Sequence, residues 1–192
     1  MAKLYFNYAA MNAGKSTTLL QASFNYRERG MDTIEFTAKI DTRVETGVIA
    51  SRIGLRKEAH IFDAATDLFA IVDAESKSMK AACVFLDEAQ FLTTAQVMQL
   101  ARIVDDLNIP VVCYGLRTDF SGDLFEGSAR LLAIADELRE LKSICKCGRK
   151  ATMNLRIDAQ GNAVTSGAKI EIGGNDRYIP LCRAHFYEAF NR

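Results

Sequence analysis

Neither sign of charge predominates in this sequence. Its 24 lysines plus arginines offset 24 aspartates plus glutamates, for a formal net charge of zero over 192 residues. Without a basic field the chain has no long-range means of gathering nucleic acid, which argues against a nucleic-acid partner. Long apolar runs are missing as well. None reaches the roughly 20 residues that a bilayer requires, and Met1-Ala2-Lys3 leads into a strand-like segment with no signal-peptide core. The expectation is a cytoplasmic protein with no membrane partner. Internal repeats and low-complexity tracts are absent too, so the chain is read element by element. There are two histidines. His60 has no cysteine or second histidine at ligand spacing and reads as an ordinary surface or half-buried side chain.

What is present is a globular composition: 49% hydrophobic with 25% charged residues, enough apolar surface to argue against disorder. The length suits one domain of ordinary size with room for a small appendage. Five cysteines in a reducing compartment do not make a disulfide framework. Cys83 and Cys113 sit within apolar runs and read as core residues, whereas Cys145, Cys147 and Cys182 lie towards the C-terminus, the last of them close to His185.

The most informative stretch is Ala9-Ala10-Met11-Asn12-Ala13-Gly14-Lys15-Ser16-Thr17. Before it runs Leu4-Tyr5-Phe6-Asn7-Tyr8, aromatic and strand-like; after it, Leu19, Leu20, Ser23, Phe24 and Arg27 recur at helical spacing, with Gly30 placed to end the helix. Strand, small-residue loop, Gly-Lys-Ser, helix is the order in which backbone N–H groups and a helix N-terminus surround a polyphosphate. Lys15 would reach the β- and γ-phosphates and the Ser16 hydroxyl would ligate Mg²⁺. Ala9 stands where the motif has its first glycine, and alanine keeps the loop tight where φ stays negative. A chance Gly-Lys-Ser at a helix start is the rival reading, and the flanking strand and helix argue against it.

Residues 33–38 read as a second strand, so the β-α-β opening predicts a parallel sheet with a right-handed crossover. Residues 41–57 read as loop with at most one weak strand, and 65–76 as a helix. Cys83-Val84-Phe85-Leu86-Asp87 is a strand buried on both faces, ending at the carboxyl edge where open α/β sheets bind ligands. Val97, Leu100, Ala101, Val104 and Leu107 mark an amphipathic helix, and Pro110 opens another buried strand, Val111-Val112-Cys113-Tyr114. Residues 115–128 form a glycine-rich loop that nevertheless holds Phe120, Leu124 and Phe125. Loops with aromatics usually cover something; the alternative is that Phe120 and Phe125 plug the main core. Residues 131–138 read as helix and 141–144 as extended. The texture then changes, which places a domain boundary near Ser143: an α/β ATP-binding domain over 1–143 and a small metal-binding domain over 144–192.

Asp87 would hold Mg²⁺ opposite Ser16, directly or through water. Glu88, pointing elsewhere in the pleat, is available as the base that orients an attacking hydroxyl. Cys145-Lys146-Cys147 and Cys182-Arg183-Ala184-His185 can supply a Cys₃His zinc site, structural because no coordination position stays open. A Cys-x-Cys redox pair is the rival. Zinc would pin both ends of the intervening loop and order a small glycine-rich appendage.

These segments together resemble the type II thymidine kinases in their bacterial, zinc-containing P-loop form. The resemblance is carried by AAMNAGKST, DEAQF (Asp87 to Phe91), YGLRTDF (Tyr114 to Phe120), CKCGRKA, and IGGNDRY before CRAH. It covers nearly the whole chain in order. It implies a RecA-like P-loop fold with a C-terminal zinc-binding lasso, and ATP-dependent phosphorylation of the thymidine 5′-hydroxyl, with deoxyuridine also accepted. It makes Glu88 the general base and assigns ATP to Ala9, Ala10, Met11, Asn12, Ala13, Gly14, Lys15, Ser16, Asp87, Glu88, Ala89 and Gln90. Thymidine would contact Met11, Phe91, Phe120, Leu124, Phe125, main-chain groups of Ile170, Glu171, Ile172 and Gly173, and Tyr178. The resemblance also implies a homotetramer inhibited by thymidine triphosphate. A P-loop ATPase or GTPase switch whose zinc knuckle docks a partner is the alternative.

Overall fold

A computed structural model describes residues 1–41, 45–168 and 177–190. Three aromatic residues, Tyr5, Phe6 and Tyr8, favour an extended chain and open it as strand β1 (Leu4–Ala9), and helix α1 (Lys15–Glu28) follows after five residues. Gly14 caps that helix in the left-handed region at φ 75°, a conformation that a side chain would strain. Leu19, Leu20 and Ser23 are buried as the periodicity predicts, but Phe24 lies on the solvent side and is 48% exposed. Gly30, also at positive φ, donates to the Arg27 carbonyl and ends the helix.

Strand β2 (Asp32–Ala38) is followed by a hairpin, β3 (Val48–Ala50) with β4 (Arg56–Glu58), and by β5 (His60–Phe62). Two antiparallel strands thus occupy the segment expected to be mostly loop. Helix α2 (Leu68–Ser76) is capped by the Asp67 side chain, which accepts from the Ala70 N–H. Strand β6 (Ala81–Leu86) leads through a single 3₁₀ turn (Ala89–Phe91) to helix α3 (Thr94–Leu107), which opens with a Thr93–Gln96 capping box. Then come β7 (Val111–Leu116), α4 (Glu126–Ile134) and β8 (Glu137–Glu140).

Six of these strands form one parallel sheet in the order β5-β2-β6-β7-β1-β8. The period of two is visible in β6. Val84 and Leu86 enter the larger core, beneath α2, α3 and α4, while Cys83 and Phe85 enter a second core with Leu19 and Leu20 of α1 and Ile49 of the hairpin. Burial of the sheet on both faces is what a parallel arrangement requires. The helix expected over 131–138 runs instead over Glu126–Ile134, starting within the stretch read as loop, and Leu138 belongs to the edge strand β8. That strand reads Glu-Leu-Arg-Glu because its outer flank meets water, so it carries no apolar run to betray it.

Beyond β8 the strands pair only with one another: β9 (Ser143–Ile144) with β10 (Lys150–Ala151), and β11 (Met153–Arg156) with β12 (Tyr178–Leu181), before helix α5 (Arg183–Phe190). Their core centres on Cys145, Met153, Leu155, Leu181, Cys182 and Phe186, and it includes Ala10 from the loop after β1. No helix among the described residues is long and apolar enough to cross a membrane.

Candidate active site and metal centre

Parallel strands end together at one edge of a sheet, and three neighbours, β6, β7 and β1, deliver the candidate residues there. A cavity of about 560 Å³ opens at this edge, lined by the loop from Met11 to Thr17, Thr37 near the end of β2, Asp41 beyond it, Asp87, Glu88 and Leu116. The hairpin segment 48–53 forms its opposite wall. Positive φ among the described non-glycine residues is confined to Asn12, Glu88 and Asn108. Ala9 therefore needs no glycine-only conformation, and alanine fits the motif's first position.

Lys15 is 9% exposed and its Nζ donates to the Ala10 carbonyl at 3.1 Å, folding the ammonium back over the loop. Ser16 Oγ donates to Asp87 Oδ2 at 2.7 Å, so the two groups expected to share a magnesium ion meet although 71 residues separate them. Burial, reinforced by the Glu88 carboxylate beside it, pushes the Asp87 carboxyl up to about 7. The bond from Ser16 works in the opposite direction.

Glu88 does not continue the pleat as expected. The strand ends at Leu86, and Glu88 turns into the left-handed region at φ 55°. A non-glycine residue held there costs on the order of 1–3 kcal/mol, a strain found where surroundings over-determine a functional position. Hydrogen bonds hold it: its N–H donates to Asp87 Oδ1 at 3.0 Å, its carbonyl accepts from the Phe91 N–H at 3.1 Å, and Gln90 Nε2 donates to its Oε2 at 2.5 Å. Gln90 is itself locked, because its Oε1 accepts from the Leu116 N–H at 2.9 Å. Gln90 and Ala89 thus stand behind the cavity wall, as do Ala9 and Ala10, while Met11 to Ser16, Asp87 and Glu88 line it.

A second cluster adjoins the loop. Met11, Phe120 and Tyr178 are all buried and pack together outside the main core, so Phe120 does not plug that core. The Arg156 guanidinium lies 3.7 Å from the centre of the Phe120 ring and donates to the carbonyls of Ser166 and Ala168. Phe91 and Phe125 meet edge to face at 6.0 Å outside this cluster, with Phe91 packed against the main core, and Leu124 is 47% exposed. Ile170, Glu171, Ile172 and Gly173 lie outside the described residues.

The four Cys and His residues converge as a tetrahedral metal would need. All their donor atoms fall within 4.8 Å of one another. Cys147 and Cys182 sulfurs are 3.9 Å apart, and His185 Nδ1 is 3.3 Å from Cys145 Sγ and 3.6 Å from Cys182 Sγ. Tetrahedral zinc with ordinary bond lengths sets S···S near ~3.8 Å and S···N near ~3.6 Å, so the donor set fits. Burial opposes ionisation of Cys145, but the N–H groups of Cys182 and Cys147 and the His185 ring outweigh it and bring the thiol down to about 6. Cys83 and Cys113, by contrast, are buried in the core with thiols pushed up by desolvation. His60 pairs with Glu75 at 2.7 Å on the surface, the ordinary role expected of it.

Sequence reasoning missed the hairpin wall, Thr37 and one buried amide, Asn154, whose Oδ1 accepts from the Met11 N–H. A short apolar run with two β-branched residues, Val48-Ile49-Ala50, was the available sequence signal for the hairpin. Asn154 had none.

Comparison with known proteins gives a consistent result. A family model described as Thymidine kinase matches residues 2–186. A thymidine kinase of Jannaschia sp. strain CCS1 is 62% identical over 189 residues, covering 98% of this chain and 97% of its own length. Those of Novosphingobium aromaticivorans and Vibrio cholerae are 62% and 56% identical over 192 residues, each covering 100% of both chains.

Proposed function

The chain belongs to the thymidine kinase family, and on that premise we propose that it transfers the γ-phosphoryl group of ATP to the 5′-hydroxyl of thymidine. Deoxyuridine is a second acceptor, since one methyl group discriminates by only ~1–3 kcal/mol. One observation carries the reading: Lys15, Ser16, Asp87 and Glu88 share a cavity wall at the carboxyl edge of the sheet. The loop amides and Lys15 bind the phosphates, and Ser16 with Asp87 would hold Mg²⁺, which neutralises charge on the transferring group. Glu88 accepts the proton of the 5′-hydroxyl while the oxygen–phosphorus bond forms and ADP departs with the bridging oxygen. Its fixed geometry suits a residue that aims a nucleophile.

The nucleoside lies against Met11, Phe120 and Tyr178, with Phe91, Leu124 and Phe125 at its margin and residues 170–173 offering main-chain groups to the thymine. The flat ring matches this aromatic lining. The metal at Cys145, Cys147, Cys182 and His185 is zinc, structural in role, and residues 144–192 act as a lasso domain on the 1–143 domain. Through the family resemblance the reading extends to a cytoplasmic homotetramer inhibited by thymidine triphosphate.

A phosphoryl-transfer assay with ATP and the common nucleosides tests the activity. Glu88→Gln should lower turnover by roughly 10²–10⁴-fold while ATP binding persists. Full turnover in that variant would remove Glu88 from the role, and hydrolysis of ATP with no nucleoside acceptor would favour the switch-like ATPase reading.

A further inference from the structure

Asn154, on strand β11, makes a polar link between the C-terminal lobe and the phosphate loop. Its neighbours Met153 and Leu155 join the lobe's apolar core, yet Asn154 is only 2% exposed itself. A buried amide survives in such a place where its donor and acceptor are matched. Both are: Oδ1 accepts from the Met11 N–H at 2.7 Å, and Nδ2 donates to the Thr118 carbonyl at 3.3 Å. One side chain thereby ties together the loop after β1, the segment after β7 and the metal-bearing lobe.

The partner residue makes this link consequential. Met11 lines the cavity at the sheet edge, and its side chain packs with Phe120 and Tyr178. It therefore belongs to the cavity lining and to that buried cluster at once. The next residue, Asn12, turns into the left-handed region at φ 65°, which asparagine tolerates, so the chain bends immediately after the held Met11 N–H.

We propose that Asn154 is a positioning residue for nucleotide binding. By holding the Met11 N–H it presents the amides that follow, from Asn12 to Thr17, to the phosphates, and it makes the grip on nucleotide depend on the seating of the C-terminal lobe. The proposal rests on the reading of the cavity as the ATP site. It predicts an effect on nucleotide binding with no nucleoside present, which a residue serving only the nucleoside pocket would not produce.

The test measures calorimetric binding of the magnesium complex of β,γ-imido-ATP, without nucleoside, to the full-length wild type, Asn154→Ala and Asn154→Asp. Thermal midpoints and metal content are recorded on the same samples. Alanine leaves the Met11 N–H without its acceptor, and the analogue should bind roughly 5–100-fold more weakly, with a matching rise in KM for ATP and a smaller change in kcat. Aspartate mimics asparagine only when protonated, accepting from Met11 while donating to Thr118. Relative to the wild type, Asn154→Asp should therefore bind better at about pH 6 than at about pH 8. A folded Asn154→Ala protein with wild-type affinity for the analogue overturns the proposal, whatever happens to the KM for thymidine. If the alanine variant does not fold, the aspartate variant decides, and equal relative affinity at both pH values overturns it. A wild type that fails to bind the analogue at all sinks the ATP-site reading instead.

Discussion

Asp87 lies where a buried carboxyl and a neighbouring carboxylate oppose its ionisation, so the native state keeps a proton that the unfolded chain releases. With an ordinary value near 3.8 and a folded value of about 7, the window is defined. Across it the native state binds more protons, and stability falls as pH rises. The carboxylates of Asp63, Glu126, Glu137 and Asp158, held low by hydrogen bonds, act with the opposite sign and below that window. Asp87→Asn removes the titration. The ligand-free variant should therefore melt higher than the wild type at about pH 8 and lose the downward slope between about pH 4 and about pH 7. The same change should abolish magnesium-dependent turnover, which a melting series and a kinase assay would show together. An unchanged slope would mean that other groups set the pH response. At this scale the legible residues were those whose chemistry repeats at fixed spacing: Gly14-Lys15-Ser16, Asp87-Glu88, and the Cys and His pairs. Asn154 was not legible, because its partners lie 143 and 36 residues away and no spacing rule connects them.

Elements position these side chains through close backbone contacts. Helix α4 rests on the 3₁₀ turn that follows Glu88, and Gly127 is what permits the approach. A Cβ at that position would sit 2.6 Å from the Ala89 carbonyl oxygen and 2.7 Å from that of Leu92. Both obstacles are backbone, so neither can swing aside. Gly127→Ala should destabilise the fold by about 1–3 kcal/mol, read as a lower urea midpoint with unchanged m. Because the displaced turn carries Gln90, turnover should fall more than ATP affinity. A variant with wild-type stability would show that α4 can slide without cost. The hairpin of β3 and β4 is held by different means: Lys57 Nζ reaches Glu35 Oε1 at 2.5 Å, and Ser23 and Thr33 complete the buried cluster. Apolar runs and apolar period located β1, β2, β6, β7, α1 and α3, whereas α4 lies earlier than its pattern suggested. The hairpin and β8 escaped because short, exposed strands bury too little to leave a pattern, and their partners are set by tertiary contact.

The molecule as a whole is a well-supported sheet joined to a weakly supported lobe. The sheet has apolar cores on both faces. The lobe has two-stranded pairs and a small cluster around Phe186, too little to hold such short strands unaided. Four side chains whose donor atoms could hold a metal ion lie just after β9, between β9 and β10, after β12 and in α5, and the proposed zinc would staple these pieces together. Removing the metal should thus divide the molecule into two responses. Under a chelator, amide exchange should accelerate across 143–156 and 178–190 while β6 and β7 stay protected, and thermal unfolding should become two-step. Because Asn154 carries the lobe's position to Met11, exchange at residues 11–16 should rise with the lobe and not with the sheet. Mass spectrometry of exchange, with metal content measured on the same sample, separates these cases. Uniform acceleration over the whole chain would mean that lobe and sheet form one cooperative unit. Acceleration confined to the lobe would mean that the phosphate loop keeps its shape without it.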